Sequence, residues 1–277
     1  MLHIAGEHAV VAGVAPAVCS STLRGMTVEA VAEFAAAASL AGIAWGSDHH
    51  VPVGDVVTAE RAAAVTADAG LRVVAYGSWF RLGVDDISSF GQVLETARAL
   101  GAPRIRVFAG DTGSAVSTGE QRQAVVEATR AAATRAAEVG VELVFEVRPG
   151  TLTDGAAETE LLLAAVDRSN VLTFWAPAVG VGDAHLLAGL DRLLPKVAAA
   201  HVFSWRPGTV RFPLSERPGL WRGVVDRLTT TGRDVDVFLE FVPNNDAAAL
   251  AHESASLRDL VAATAVMTRS SRHPRPA

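Results

Sequence analysis

Cysteine is almost missing from this chain, Cys19 being the only one. An intramolecular disulfide is excluded, and a reducing, cytoplasmic setting is the natural expectation. Positive charge is also in deficit: the net charge is −6, which argues against a nucleic-acid-binding surface. No uncharged apolar run reaches the ~18 residues of a membrane span, because Glu, Arg and Asp interrupt the alanine-rich stretches. The opening MLHIAGEHAVV has no basic n-region and carries Glu7, so no secretory leader is expected. There is no G-x-S-x-G, no P-loop and no paired C-x-x-C, so the usual signatures of serine hydrolases, nucleotide triphosphatases and structural zinc modules are missing.

What is present is a recurring two-part unit across 277 residues, of which 50% are hydrophobic and 19% charged. A short apolar run is followed by a polar loop and then by an Ala/Leu-rich stretch of helical period. The junctions SLAGIAW, TADAGLRVVAYG, ARALGAPRIRVFAG and AAEVGVELVFEV each place a glycine where a helix C-cap belongs. Strands are expected over 16–22, 43–46, 71–77, 104–108, 141–147, 170–175, 197–203 and 235–241. Helices are expected over 27–41, 56–69, 86–100, 118–139, 155–168, 182–193, 217–231 and 246–265. Eight such pairs in about 250 residues have the count and length of a (β/α)8 TIM barrel. An open doubly wound sheet would carry G-x-G-x-x-G after its first strand, and SSTLRGMT stands there instead. The chain therefore reads as one α/β barrel over 1–267, followed by a polar, Pro-containing tail at 268–277 that is expected to be disordered.

A barrel of this kind places its active site at the C-terminal ends of the strands. Strand five, VELVFEV, ends with Glu146 and is followed by Arg148. Strand seven, VAAAHVFSW, carries His201, and strand eight, VDVFLEFV, carries Glu240. A carboxylate between Phe and Val is costly to bury unless paired or metal-bound. One such acid is as readily a salt-bridged structural residue as a ligand, but two at matching strand ends, with a histidine, point to a divalent ion such as Mn, Mg, Co or Zn.

The segments GIAWGSDHHVPVGD, YGSWFRLG, FEVRPGTLTD, HVFSW and FLEFV, taken in order over nearly the whole chain, resemble the xylose isomerase-like TIM barrels. That superfamily includes sugar (phosphate) isomerases and epimerases, ketose 3-epimerases and AP endonucleases. The resemblance implies a metal held by Glu146, His201 and Glu240. It also implies proton transfer next to a carbonyl, with one of Glu146 and Glu240 removing a proton and the other returning it. Two departures stand out. The acid that the family carries on strand six is replaced by the run Phe174, Trp175 and Ala176, and Arg148 stands where relatives often have a histidine. Water or a residue of the strand-two loop would complete the metal shell, or else the metal is lost and Arg148 supplies the positive charge.

In WGSDHHVPVGD, the resemblance to a D-x-H-V-P pattern makes His50 a substrate contact and leaves His49 as a spare ligand; the bland alternative is a solvated loop histidine. Trp79, Trp175 and Trp205, at or beyond strand ends, are candidate pocket walls, whereas Phe80 is read as core. Arg106, near the end of strand four, either points into the mouth or pairs with a neighbouring acid. The Gly/Ser/Thr loop 110–119 is a connection more readily than an anion cradle, and Cys19 is read as core rather than nucleophile. The expected partner is a small sugar-like molecule, with no nucleic acid or membrane, and a homo-oligomer is left open. The leading expectation is a metal-assisted isomerase or epimerase. A lyase or other carbon-acid enzyme with an altered or lost metal site is the runner-up, with a metal-free small-molecule-binding barrel beside it. AP endonuclease activity is disfavoured, because it needs more His and Asp ligands than are found.

Overall fold

The computed structural model describes residues 13–206 and 210–272. In chain order its strands are β1 (Val14–Cys19), β2 (Gly42–Gly46), β3 (Arg72–Leu82), β4 (Arg104–Ala109), β5 (Glu142–Glu146), β6 (Val171–Trp175), β7 (Val197–Val202), the two-residue β8 (Trp205–Arg206) and β9 (Val210–Arg211), and β10 (Val235–Leu239). The helices are α1 (Val28–Ala37), α2 (Val56–Asp68), α3 (Phe90–Ala99), α4 (Gly119–Ala137), α5 (Ala156–Val166), α6 (Asp183–Leu193), α7 (Pro218–Thr230) and α8 (Ala247–Arg272). Strands β1–β7 and β10 close into one parallel barrel, with β10 pairing to both β7 and β1, while β8 and β9 form a small antiparallel hairpin. This is the (β/α)8 barrel expected from the sequence. Helix α8 continues past the expected boundary at 267 to Arg272; the remaining tail, 273–277, lies outside the described residues, as does the 1–12 segment read above as lacking a leader. No helix among the described residues is long and apolar enough to cross a membrane.

Local chemistry sets the element ends. Thr27 and Asp55 accept hydrogen bonds from Ala30 N (3.3 Å) and Thr58 N (3.0 Å), capping α1 and α2. Thr118 and Gln121 form a reciprocal capping box on α4. At three of the four junction glycines the chain takes the left-handed conformation expected of a helix stop, with φ of 72° at Gly70, 69° at Gly101 and 71° at Gly140. The fourth expectation is corrected. Ser39 (φ 53°) carries the left-handed turn after α1, and Gly42 is the first residue of β2. Gly42 is glycine because of crowding: a Cβ there would lie 2.5 Å from Arg72 O and 2.6 Å from Val74 Cγ1.

Alternation along the strands sorts side chains between two cores. Outward residues pack against the helices, and the interior is filled by Ala17, Ala44, Val74, Val144, Ala199 and Phe238, among others. At the bottom of this interior Asp236, 4% exposed, is paired with Arg72 (2.9 Å) and Arg104 (3.0 Å), and Arg104 also pairs with Glu142 (3.1 Å). Among the described residues this network lies across the barrel floor, and the cavity opens at the C-terminal ends of the strands. Small inward residues on β1, β2 and β7, set against Phe174 and Phe238 on β6 and β10, leave that end hollow.

Gly42→Ala is expected to lower unfolding free energy by about 2 kcal/mol, since backbone and not a flexible side chain must move. A urea midpoint equal to that of the parent chain would contradict this account of β2–β3 packing.

Candidate active site

The barrel mouth holds a cavity of about 580 Å3. On one side of it, the period of β10 carries the face of Asp236 and Phe238 upward to Glu240, 9% exposed, one residue beyond the strand. His201 on β7 lies in register with Phe238. Its Nδ1 is 2.8 Å from Glu240 Oε2, and its ring is held edge-on by Phe174 at 5.7 Å and Phe238 at 5.5 Å. Ser21 Oγ donates to Glu240 Oε1 at 3.1 Å, and Cys19 Sγ lies 3.9 Å from His201 Nδ1. Burial alone would lower the His201 pKa, but the Glu240 carboxylate outweighs it, with help from Cys19, and raises it well above the ordinary value. Burial pushes the Cys19 thiol up to about 11, reinforced by the Glu240 charge and opposed by His201.

Glu146, at the end of β5, stands across the mouth. Its burial favours the neutral acid, but Arg106, His201 and Arg148 together outweigh that and hold the carboxyl below the usual range. The direct partner is Arg106, whose Nη1 donates to Glu146 Oε2 at 2.6 Å while Nη2 donates to Ser78 O at 3.0 Å. Both alternatives for Arg106 thus hold at once: it lines the mouth and is salt-bridged. Its guanidinium lies 4.5 Å from the Phe108 ring centre, and that of Arg148 lies 4.7 Å from the same ring and 5.2 Å from Trp79. Trp79 belongs to the part of β3 that runs past the expected end at 77, where pairing with β4 becomes irregular.

The sequence candidates divide as follows. Glu146, Arg106, Arg148, Trp79, His201, Trp205 and Glu240 all line the cavity. Trp175 does not, because alternation on β6 turns it outward into the helix-facing core and gives the inward place to Phe174. His50 is 5% exposed, packs edge-on to Trp45 at 5.7 Å and does not reach the cavity; burial lowers its pKa. His49 is paired with Asp48 at 3.1 Å, and of this stretch it is Asp48 that lines the cavity. Phe80 is core, packed on Phe90 at 5.3 Å. Loop 110–119 is tied down by Ser114 N donating to Asp154 at 2.8 Å and by the Thr118 cap. Sequence reasoning missed Ser21 and the closeness of Cys19 to the site. The only available signal was the position of both at the C-terminal end of strand one, since the contacts join residues 182 and 219 positions apart.

The donors that converge are not the three expected together. Cys19, His201 and Glu240 offer ligand atoms all within 4.8 Å of one another, and Glu146 is outside this group. Thiolate, imidazole and carboxylate suit zinc or cobalt, and three protein ligands leave a position open. The type and closeness of these three donor atoms fit a divalent cation, which would replace the contact between His201 Nδ1 and Glu240 Oε2.

No curated protein matches the sequence. Solved structures with the same fold include a probable 3-DHS dehydratase, AsbF, of petrobactin synthesis from Bacillus anthracis (TM-score 0.73, 20% identity, covering 88% of this chain and 98% of that one). An L-ribulose 3-epimerase superposes with a TM-score of 0.72 at 16% identity, covering 95% and 100%. The IOLI protein, solved with a bound zinc atom, gives 0.64 at 13%, covering 94% and 100%. The family model described as xylose isomerase-like TIM barrel matches residues 32–260, and with the barrel and its strand-end acids in place the chain belongs to that family.

Proposed function

We propose that the chain is an isomerase- or epimerase-type enzyme that moves a proton at the carbon next to a carbonyl of a small sugar-like substrate. The observation that carries this reading is the pair of glutamates facing one cavity from β5 and β10, three strands apart around the ring of eight, in different electrostatic settings. The two carboxylates have different partners, Arg106 for Glu146 and His201 with Ser21 for Glu240, which allows them different roles. Arg106 keeps Glu146 ionised and occupies Oε2, so Glu146 is ready to accept a proton through Oε1. Glu240, steadied by His201 and Ser21, is the group placed to return one from the other side. Arg106, fixed by Glu146 and by Ser78 O, sets a positive charge beside the base, where it would steady the negative charge that develops on the substrate. A divalent ion held by Cys19, His201 and Glu240 would polarise the same carbonyl when bound. Imine chemistry with a protein side chain is not available at the mouth, because the single lysine, Lys196, precedes β7 at the opposite end.

A lyase reading is supported by one feature. At β6 the wall is Phe174, Ala176 and Pro177, which offers no side-chain polar group to hold sugar hydroxyls. Proton removal by Glu146 would then be followed by loss of a β-hydroxyl and not by proton return.

In D2O, the parent chain is expected to incorporate deuterium next to the carbonyl of at least one member of a panel of ketoses and 2-keto acids. Glu146→Gln is expected to reduce that rate by about 100-fold or more. Absence of exchange across the panel would sink the carbon-acid reading; exchange accompanied by an unsaturated product would select the lyase. Because the Glu146 pKa is depressed, its ionised form persists below the ordinary carboxylate value and is lost only as pH falls through the lowered one. The acid limb of kcat/KM is therefore expected below the usual Glu range, and Arg106→Met is expected to move it upward. An unmoved limb would detach Arg106 from the base. Cobalt(II) titration is expected to give a thiolate-to-metal absorption band that Cys19→Ser abolishes. Cobalt affinity should rise with pH, because the ion must displace protons from His201 and Cys19. No band at any pH would rule out this donor set.

A further inference from the structure

Arg148 has a feature that proton transfer does not use. The face of its guanidinium is covered by Phe108 at 4.7 Å and Trp79 at 5.2 Å. Its backbone is fixed by Arg148 N donating to Thr153 O at 2.9 Å and by Thr151 Oγ1 donating to Arg148 O at 2.9 Å. Among the described residues no carboxylate lies within 4.0 Å of it, and Glu146, whose charge it influences, is bonded to Arg106. Both guanidiniums act on the Glu146 carboxylate, and Asp154, which also lines the cavity, accepts from Ser114 N at 2.8 Å, so Arg148 faces the cavity without an ion pair of its own. A stacked, half-buried, immobilised arginine is preorganised to donate along its edge to a planar or tetrahedral oxyanion.

The rest of the cavity limits what that anion is attached to. Its walls are Trp79, Phe174, Pro177, Phe203 and Phe238, and Trp79 is 46% exposed at the rim. These walls suit the flat side of a ring, while Ser21, Asp48 and Asp154 add polar atoms to the same lining. We propose that Arg148 anchors an organic anion, a carboxylate or phosphate ester whose ring lies against these aromatic walls, and so sets the substrate class of this site. The proposal rests on the cavity being the substrate site, as in the reading above, but not on the reaction carried out there.

Calorimetric titration with benzoate, phenyl phosphate and uncharged benzamide separates the two. In the parent chain one of the anions is expected to bind about tenfold more tightly than benzamide, the scale of a charge-assisted hydrogen-bond pair. The preferred anion identifies carboxylate or phosphate as the group recognised. Arg148→Met is expected to abolish the preference while leaving benzamide affinity within about twofold, since only the charged donor is removed. Arg148→Lys, which keeps the charge but loses the planar fork, is expected to retain only part of it. Benzamide binding as tightly as both anions, no saturable binding of either anion, or a preference that survives in Arg148→Met would each overturn the proposal. An intact anion preference without deuterium exchange would count against the carbon-acid reading alone, and exchange without anion preference would count against this proposal alone.

Discussion

A carboxylate that points into a barrel of alanine, valine and phenylalanine must meet a cation there, and much of this molecule is arranged to satisfy that requirement. Four acids on inward faces are involved. Asp236 is met by Arg72 and Arg104, Glu142 by Arg104, Glu146 by Arg106, and Glu240 by His201. Strand β4 supplies two of these cations. Arg104 and Arg106 are two residues apart and therefore share its inward face, one serving the floor and the other the mouth.

The two ends use the same pairing to different effect. At the floor two guanidiniums meet two carboxylates and the charges balance. At the mouth the balance is deliberately uneven: Glu146 is held as an anion, the His201–Glu240 pair holds a proton, and Arg148 is left stacked on aromatic rings. Fixed charges of both signs in a cavity with apolar walls interact more strongly than they would in water, which is the setting in which proton transfer from carbon becomes accessible.

The barrel was legible because its information is periodic. Alternation marks the strands, the helical period marks their partners, and Gly70, Gly101 and Gly140 mark the stops. Glu146, His201 and Glu240 were legible because polar residues in apolar strands are anomalies that sequence displays directly. What escaped was convergence across the ring. Cys19 looks like an ordinary core residue until β1 and β7 are brought together in space, and His50 looks like a rim residue until the turn after β2 folds it under Trp45. Trp175 was misplaced by a single step of alternation, which residue type does not reveal when both faces of a strand are apolar. Gly42 was read as a helix C-cap although the reason for it lies in Arg72 and Val74, about thirty positions away.

Arg106 joins Glu146, the Ser78 carbonyl and the Phe108 ring in one side chain. Its consequence is that the two positions are bound to each other. Replacing Glu146 alone would strand a buried guanidinium, and replacing Arg106 alone would strand the carboxylate. Either single step passes through a less stable intermediate, so the two positions are expected to change together or not at all, and the order in which substitutions arise would constrain which chemistries this barrel can reach.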